Sequence, residues 1–105
     1  MSVAVAFLVH DDIEFFEAAA ESFRGAGELF AFVSRVSWNA DQGDYKATSA
    51  LAEQLGLTVI EGDWTDEGMH RREAYALLKE RGFTHCLIPD TDEVIEPRLL
   101  AALLK

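Results

Sequence analysis

The sequence predicts an α/β domain with a mainly parallel sheet, a Rossmann-like three-layer αβα arrangement. Two observations carry this. Four times along the chain a short apolar run gives way to an amphipathic segment, the alternation expected of βα units. The first run, "VAVAFLV", is almost continuously apolar instead of alternating with polar residues, as a strand covered on both faces requires.

The elements follow in order. Val3 to Val9 is the first strand, and Asp12 can cap the helix after it, where Ile13, Phe16, Ala20 and Phe23 share one face at helical spacing. Gly25 and Gly27 end that helix, and "LFAFVSRVS" reads as the second strand, followed by the loop "WNADQGDY". A second helix is expected from Tyr45 to Leu55, with Asp44 as its cap and Gly56 just past its end. "LTVIEG" is a short third strand. The acidic loop "EGDWTDEG" leads into a third helix from Met69 to Arg81, with Ala74, Leu77 and Leu78 as its core stripe and Gly82 as its stop. Strand four runs from Thr84 to Ile88, and Pro97 starts a fourth helix in "RLLAALLK". Right-handed crossovers, with helices on both faces, predict the strand order 3-2-1-4.

Length and composition narrow the function. A chain of 105 residues, half of them apolar, holds one domain with one small core. Nineteen acidic against nine basic residues give a net charge of −10, which argues against a nucleic-acid partner, because phosphate backbones are held by clustered Lys and Arg. A nucleotide held through a divalent metal stays compatible with that charge. The single cysteine, Cys86, has no intrachain disulfide partner, which fits a reducing, cytoplasmic setting. The first apolar run lacks a basic lead and reads as a strand, not a signal peptide, and no segment has the length to span a bilayer.

Open parallel sheets bind ligands beyond the carboxyl ends of their strands. Four loops meet that description, His10 to Asp12, Ser37 to Asp44, Glu61 to Glu67 and Asp90 to Glu93, and every one carries carboxylates. Gathering like charges at one edge costs repulsion unless a cation or hydrogen-bond donors offset it. In "PDTDEV", Asp90 and Asp92 are separated by one residue and can face one hard cation, Mg²⁺ or Mn²⁺, which would bridge to a diphosphate. The structural alternative is that Asp90 is a turn residue and that Glu93 and Glu96 are solvated helix-cap groups.

The segment "THCLIPDTDEVIEPRLL", with "HRREAYALLKERGF" before it, resembles the metal-binding region of family 2 glycosyltransferases of GT-A fold, and "VAVAFLVHDDIEFFEAAAESF" resembles the opening unit of that family. The resemblance implies a donor-binding domain for a nucleotide-diphosphate sugar, a UDP- or GDP-sugar. It implies that Asp92 holds the metal and that Asp90 contacts the ribose or the metal-bound diphosphate. His10 and Asp11 would lie beside the nucleoside, Arg71 would help to hold the donor, and Asp63 would match the nucleotide-edge position. The family's base-reading segment is replaced here by "VSWNADQGD", which offers Asp41. In the family, the acceptor half and the catalytic base follow the Asp-x-Asp, so the chain is expected to supply the donor-binding part alone, with attachment at the inner membrane face left to regions outside it.

Other residues admit two readings each. Trp38 and Trp64 can stack on a base or cover the sheet edge. His70 starts the third helix and can reach a phosphate or stand as a solvated helix terminus, the reading preferred here, and His85 reads as a packed core histidine. Ser34 and Ser37 lack the context of a nucleophile. Rival classes are a non-catalytic nucleotide- or metal-binding module, a haloacid dehalogenase-like phosphatase, whose motif "DTDEV" also satisfies, and a phosphoacceptor receiver domain. Strand four is expected at a sheet edge, open to a homodimer contact.

Overall fold

The computed structural model describes residues 2–11, 13–38, 45–91, 95–96, 98–99 and 102. Its elements are β1 (Val3–Val9), α1 (Ile13–Phe23), β2 (Glu28–Ser34), α2 (Tyr45–Gln54), β3 (Thr58–Gly62), α3 (Glu67–Glu80) and β4 (His85–Leu87). The strands form one all-parallel, Rossmann-like sheet in the order β3-β2-β1-β4. Arg98, Leu99 and Ala102 are helical, as expected after Pro97, which itself lies outside the described residues.

Alternation along the central strands builds two cores. Val5, Phe7 and Val9 of β1 join Leu29, Ala31 and Val33 of β2 on the face covered by α1 and α2. Ala4, Ala6, Phe30 and Phe32 face α3, with Ala74, Leu78 and Trp64. Large side chains sit beside small ones at the centre of the β1–β2 register, Phe7 next to Ala31 and Ala6 next to Phe30, which lets the rings fill each face. Phe7 meets Phe16 edge-on at 5.3 Å between ring centroids, which fixes α1 on its face. Burying such a ring stabilises the fold by roughly 1.5–3 kcal/mol.

Several expected boundaries shift by one to three residues. β2 stops at Ser34, not at Ser37, because the Ser34 side chain turns back onto its own backbone while the Arg35 amide makes the last pairing, to the Gly62 carbonyl at 2.8 Å. α3 begins two residues earlier than expected, at Glu67, because Asp66 caps it by accepting from the Met69 amide at 2.8 Å. Gly56 and Gly82 stop α2 and α3 at φ +83° and +92°, conformations that a side chain strains.

β4 is the short edge strand. Its amino end is clasped to β1 through Ser2, whose carbonyl accepts from the Thr84 and His85 amides at 3.1 and 3.0 Å. The expectation of a core His85 is corrected: the side chain is exposed, because a strand at the sheet edge is only half covered, and its Nδ1 meets the Thr84 hydroxyl at 2.9 Å. No helix among the described residues is long and apolar enough to cross a membrane.

Candidate functional site

The carboxyl ends of the strands carry the candidate residues. Along the edge, in sheet order, stand Asp63 after β3, Arg35 after β2, His10 and Asp11 after β1, and Asp90 after β4. The chain leads outward from β1 to β2 and β3 on one side and to β4 on the other, so the order reverses between β1 and β4. Reversals of this kind open the crevice in which α/β sheets bind ligands. Asp11 and Asp90, both exposed, leave the two strands that flank it. Asp90 is held at its root by Pro89, which is buried.

His10 is half-buried. Its Nδ1 lies 2.7 Å from the Ser34 carbonyl, and a carbonyl only accepts, so Nδ1 carries the proton and ties the exit of β1 to the end of β2. Ser34 is fully buried and joins the next pair of strands. Its hydroxyl accepts from the Trp64 amide at 3.1 Å, and its single proton lies between the carbonyls of Val36 at 2.6 Å and Trp64 at 2.9 Å. Two short polar side chains thus stitch three loops into one rim.

Asp63 faces Arg35, whose Nε and Nη2 donate to its two carboxylate oxygens at 2.9 and 3.4 Å. The hydrogen bond and charge of Asp63 raise the Arg35 pKa above its ordinary value. Both groups are well exposed, so solvent and salt screen this pair and it contributes little to stability. Glu61 reaches α2, where it accepts from the Ser49 hydroxyl at 2.7 Å, and its charge also acts on Arg35. Arg71 is half-buried in the second turn of α3, the helix that starts directly after the β3 loop. Asp41 and Asp92 lie outside the described residues, as do Asp12, Asp44 and Glu93. Among the described residues no group of three or more His, Cys, Asp or Glu side chains is arranged to hold a metal ion.

The expectation of a solvated His70 is corrected. It is fully buried, stacked on the Trp64 indole at 4.4 Å between centroids with 14° between the planes. Its Nε2 lies 2.7 Å from the Phe32 carbonyl, and its Nδ1 lies 3.2 Å from the Trp38 indole nitrogen. His70 is buried because it shares the face of α3 that carries Ala74 and Leu78, which packs against Phe30 and Phe32. Trp64 therefore covers the sheet, with its indole N–H donated to Glu73, whereas Trp38 remains 42 % exposed at the rim. Burial also pushes the Cys86 thiol up, so it stays protonated at neutral pH.

Sequence reasoning missed Ser34, Arg35 and the His70 stack. Ser34 had a readable signal, a lone hydroxyl closing the apolar run "LFAFVS"; the other two depend on which loops the sheet order brings together. Comparison of the chain with protein-family models, with curated proteins and with solved structures returned no match.

Proposed function

We propose that the chain is the donor-binding part of a glycosyltransferase and takes a nucleotide-diphosphate sugar, a UDP- or GDP-sugar, at its carboxyl rim. The observation that carries this reading is the strand reversal between β1 and β4, with Asp11 and Asp90 at the exits of the two strands that flank it. His10 and Asp11 would lie against the nucleoside, and Arg71 towards the phosphates. The Arg35–Asp63 pair at the far end offers a ribose or base either a guanidinium donor or a carboxylate acceptor.

Asp90 and Asp92 would hold Mg²⁺ or Mn²⁺. Carboxylate oxygens are the donors such ions prefer, and the exposed Asp90 carboxylate at the end of β4 fits that chemistry. When bound, the cation neutralises diphosphate charge that a protein of net charge −10 would otherwise repel. The protein's own part is to present the carboxylates from a stitched rim and to orient the nucleoside.

The order β3-β2-β1-β4 also separates this chain from a receiver domain, whose doubly wound sheet places its first strand between its second and third. Isothermal titration tests the proposal. UDP or GDP should bind in the presence of Mn²⁺, with binding lost in Asp90→Asn and Asp92→Asn and kept in Glu96→Gln. Binding that ignores the metal, or that survives both aspartate substitutions, overturns the assignment. Sugar transfer to a panel of acceptors, measured for this chain and for its full-length parent, separates the two readings: metal-dependent binding with transfer by the parent alone supports the donor-binding part, and transfer by neither favours the non-catalytic binding module.

A further inference from the structure

We propose that Arg35, oriented by Asp63, reads the base of the donor and selects guanine over uracil. The inference rests on the donor-binding reading above and narrows its nucleotide to a GDP-sugar. The sheet puts Arg35 in place. The His10 contact to the Ser34 carbonyl, at 2.7 Å, sets the exit of β1 against the residue directly before Arg35. Neighbouring strands lie about 4.8 Å apart, so a nucleoside beside His10 and Asp11 has the β2 exit one strand spacing away. The Arg35 amide still pairs with the Gly62 carbonyl at 2.8 Å, which fixes its backbone at the end of the β2–β3 ladder.

Asp63 occupies one edge of the guanidinium and leaves another. A guanidinium carries five N–H donors in a planar fork. Nε and Nη2 donate to the two Asp63 oxygens at 2.9 and 3.4 Å, which uses the side edge. The end edge, formed by one Nη1–H and the second Nη2–H, remains for a ligand, and the Arg35 side chain is 44 % exposed. Glu61 and Tyr45 act on Arg35 through charge, and the Glu61 carboxylate has its hydrogen bond at Ser49. Asp63 is therefore a positioning residue: it holds the fork without using the edge that a base would meet.

Two parallel N–H groups ask for two adjacent acceptors. Guanine has them in O6 and N7, the pair that arginine grips most often in base recognition. Uracil does not: its O2 and O4 flank the N3–H donor, so one oxygen reaches the fork and the second N–H goes without a base partner. A site with two fixed donors discriminates against the ligand that leaves one of them unpaired. Adenine is a purine of guanine's size, but it sets the N6 amino donor beside N7, and N–H then meets N–H. The readout thus depends on the acceptor pattern and not on the size of the base.

Isothermal titration of the whole chain with GDP, UDP and ADP, each with Mn²⁺, tests this. GDP should bind roughly tenfold tighter than UDP, the discrimination expected of one exposed bidentate contact, and ADP no tighter than UDP. Arg35→Lys keeps the charge and loses the fork, so GDP should weaken to the UDP level while UDP is little changed. Asp63→Asn frees the fork and should shrink the preference for GDP while the metal dependence stays. The pair contributes little to stability, so both variants should keep the fold, which far-UV circular dichroism checks. Equal affinity for GDP and UDP, tighter binding of UDP or ADP, or a GDP preference that survives Arg35→Lys overturns the base assignment and leaves the metal-dependent donor site standing. Binding of neither GDP nor UDP in the presence of Mn²⁺ overturns both.

Discussion

At the scale of single residues, Ser34 holds more of the rim than any candidate ligand. It is fully buried, and its hydroxyl meets the Trp64 amide at 3.1 Å and the Val36 carbonyl at 2.6 Å. Removing the hydroxyl strands backbone groups at the ends of β2 and β3, and a buried group left unsatisfied costs roughly 1–3 kcal/mol. Ser34→Ala should therefore lower the free energy of unfolding by that amount in urea titrations, without changing the slope of the transition. A change within about 0.5 kcal/mol, ordinary for surface substitutions, would mean that water replaces the hydroxyl. Surface charge behaves differently: the Arg35–Asp63 contact is exposed on both sides and contributes little to stability.

At the scale of elements, the helices draw on different sources of stability. α1 is fixed mainly by tertiary burial, with Phe16, Ala19, Ala20 and Phe23 all in the core. α3 buries only His70, Ala74 and Leu78, so its local start matters more. Asp66 accepts the Met69 amide at 2.8 Å, and its negative charge also suits the positive end of the helix dipole. Asp66→Ala should destabilise the protein by about 1 kcal/mol, whereas Asp66→Ser should recover most of the loss; thermal or urea unfolding of the pair distinguishes a capping role from simple loss of charge. β4 is the weakest strand, three residues long and half exposed, and it depends on the Ser2–Thr84 clasp at its amino end.

At the scale of the whole molecule, charge dominates. A net charge of −10 on 105 residues repels itself in the compact state, and the candidate site concentrates carboxylates at one edge of the sheet. Screening by salt should relieve this repulsion, since the Debye length falls from ~30 Å at 0.01 M to ~8 Å at 0.15 M. The melting midpoint should rise over that range; a gain of about 1 kcal/mol corresponds to ~4–8 °C in a domain near this size. Differential scanning calorimetry in sodium chloride checks it, and an unchanged or falling midpoint would show that the carboxylates are already compensated within the fold.

By itself the sequence determined the class of fold, the strand order and the acidic edge. Continuous apolar runs, helix stops at Gly56 and Gly82 and right-handed crossovers are local or topological constraints, and they leave few arrangements open. It also marked Asp11, Asp63 and Asp90 as residues at strand exits, because position after a strand is readable along one chain. Tertiary structure alone decided where each ring and hydroxyl went. His70 and His85 exchanged their expected environments: a residue at a helix start was buried by the face on which α3 crosses, and a residue within a strand was exposed because its strand lies at the edge. The pairs Trp38–His70, Arg35–Asp63 and His10–Ser34 join residues 32, 28 and 24 positions apart, separations at which no local pattern reports contact. Burial and pairing are properties of the assembled sheet, and sequence periodicity reports only the face on which a residue stands.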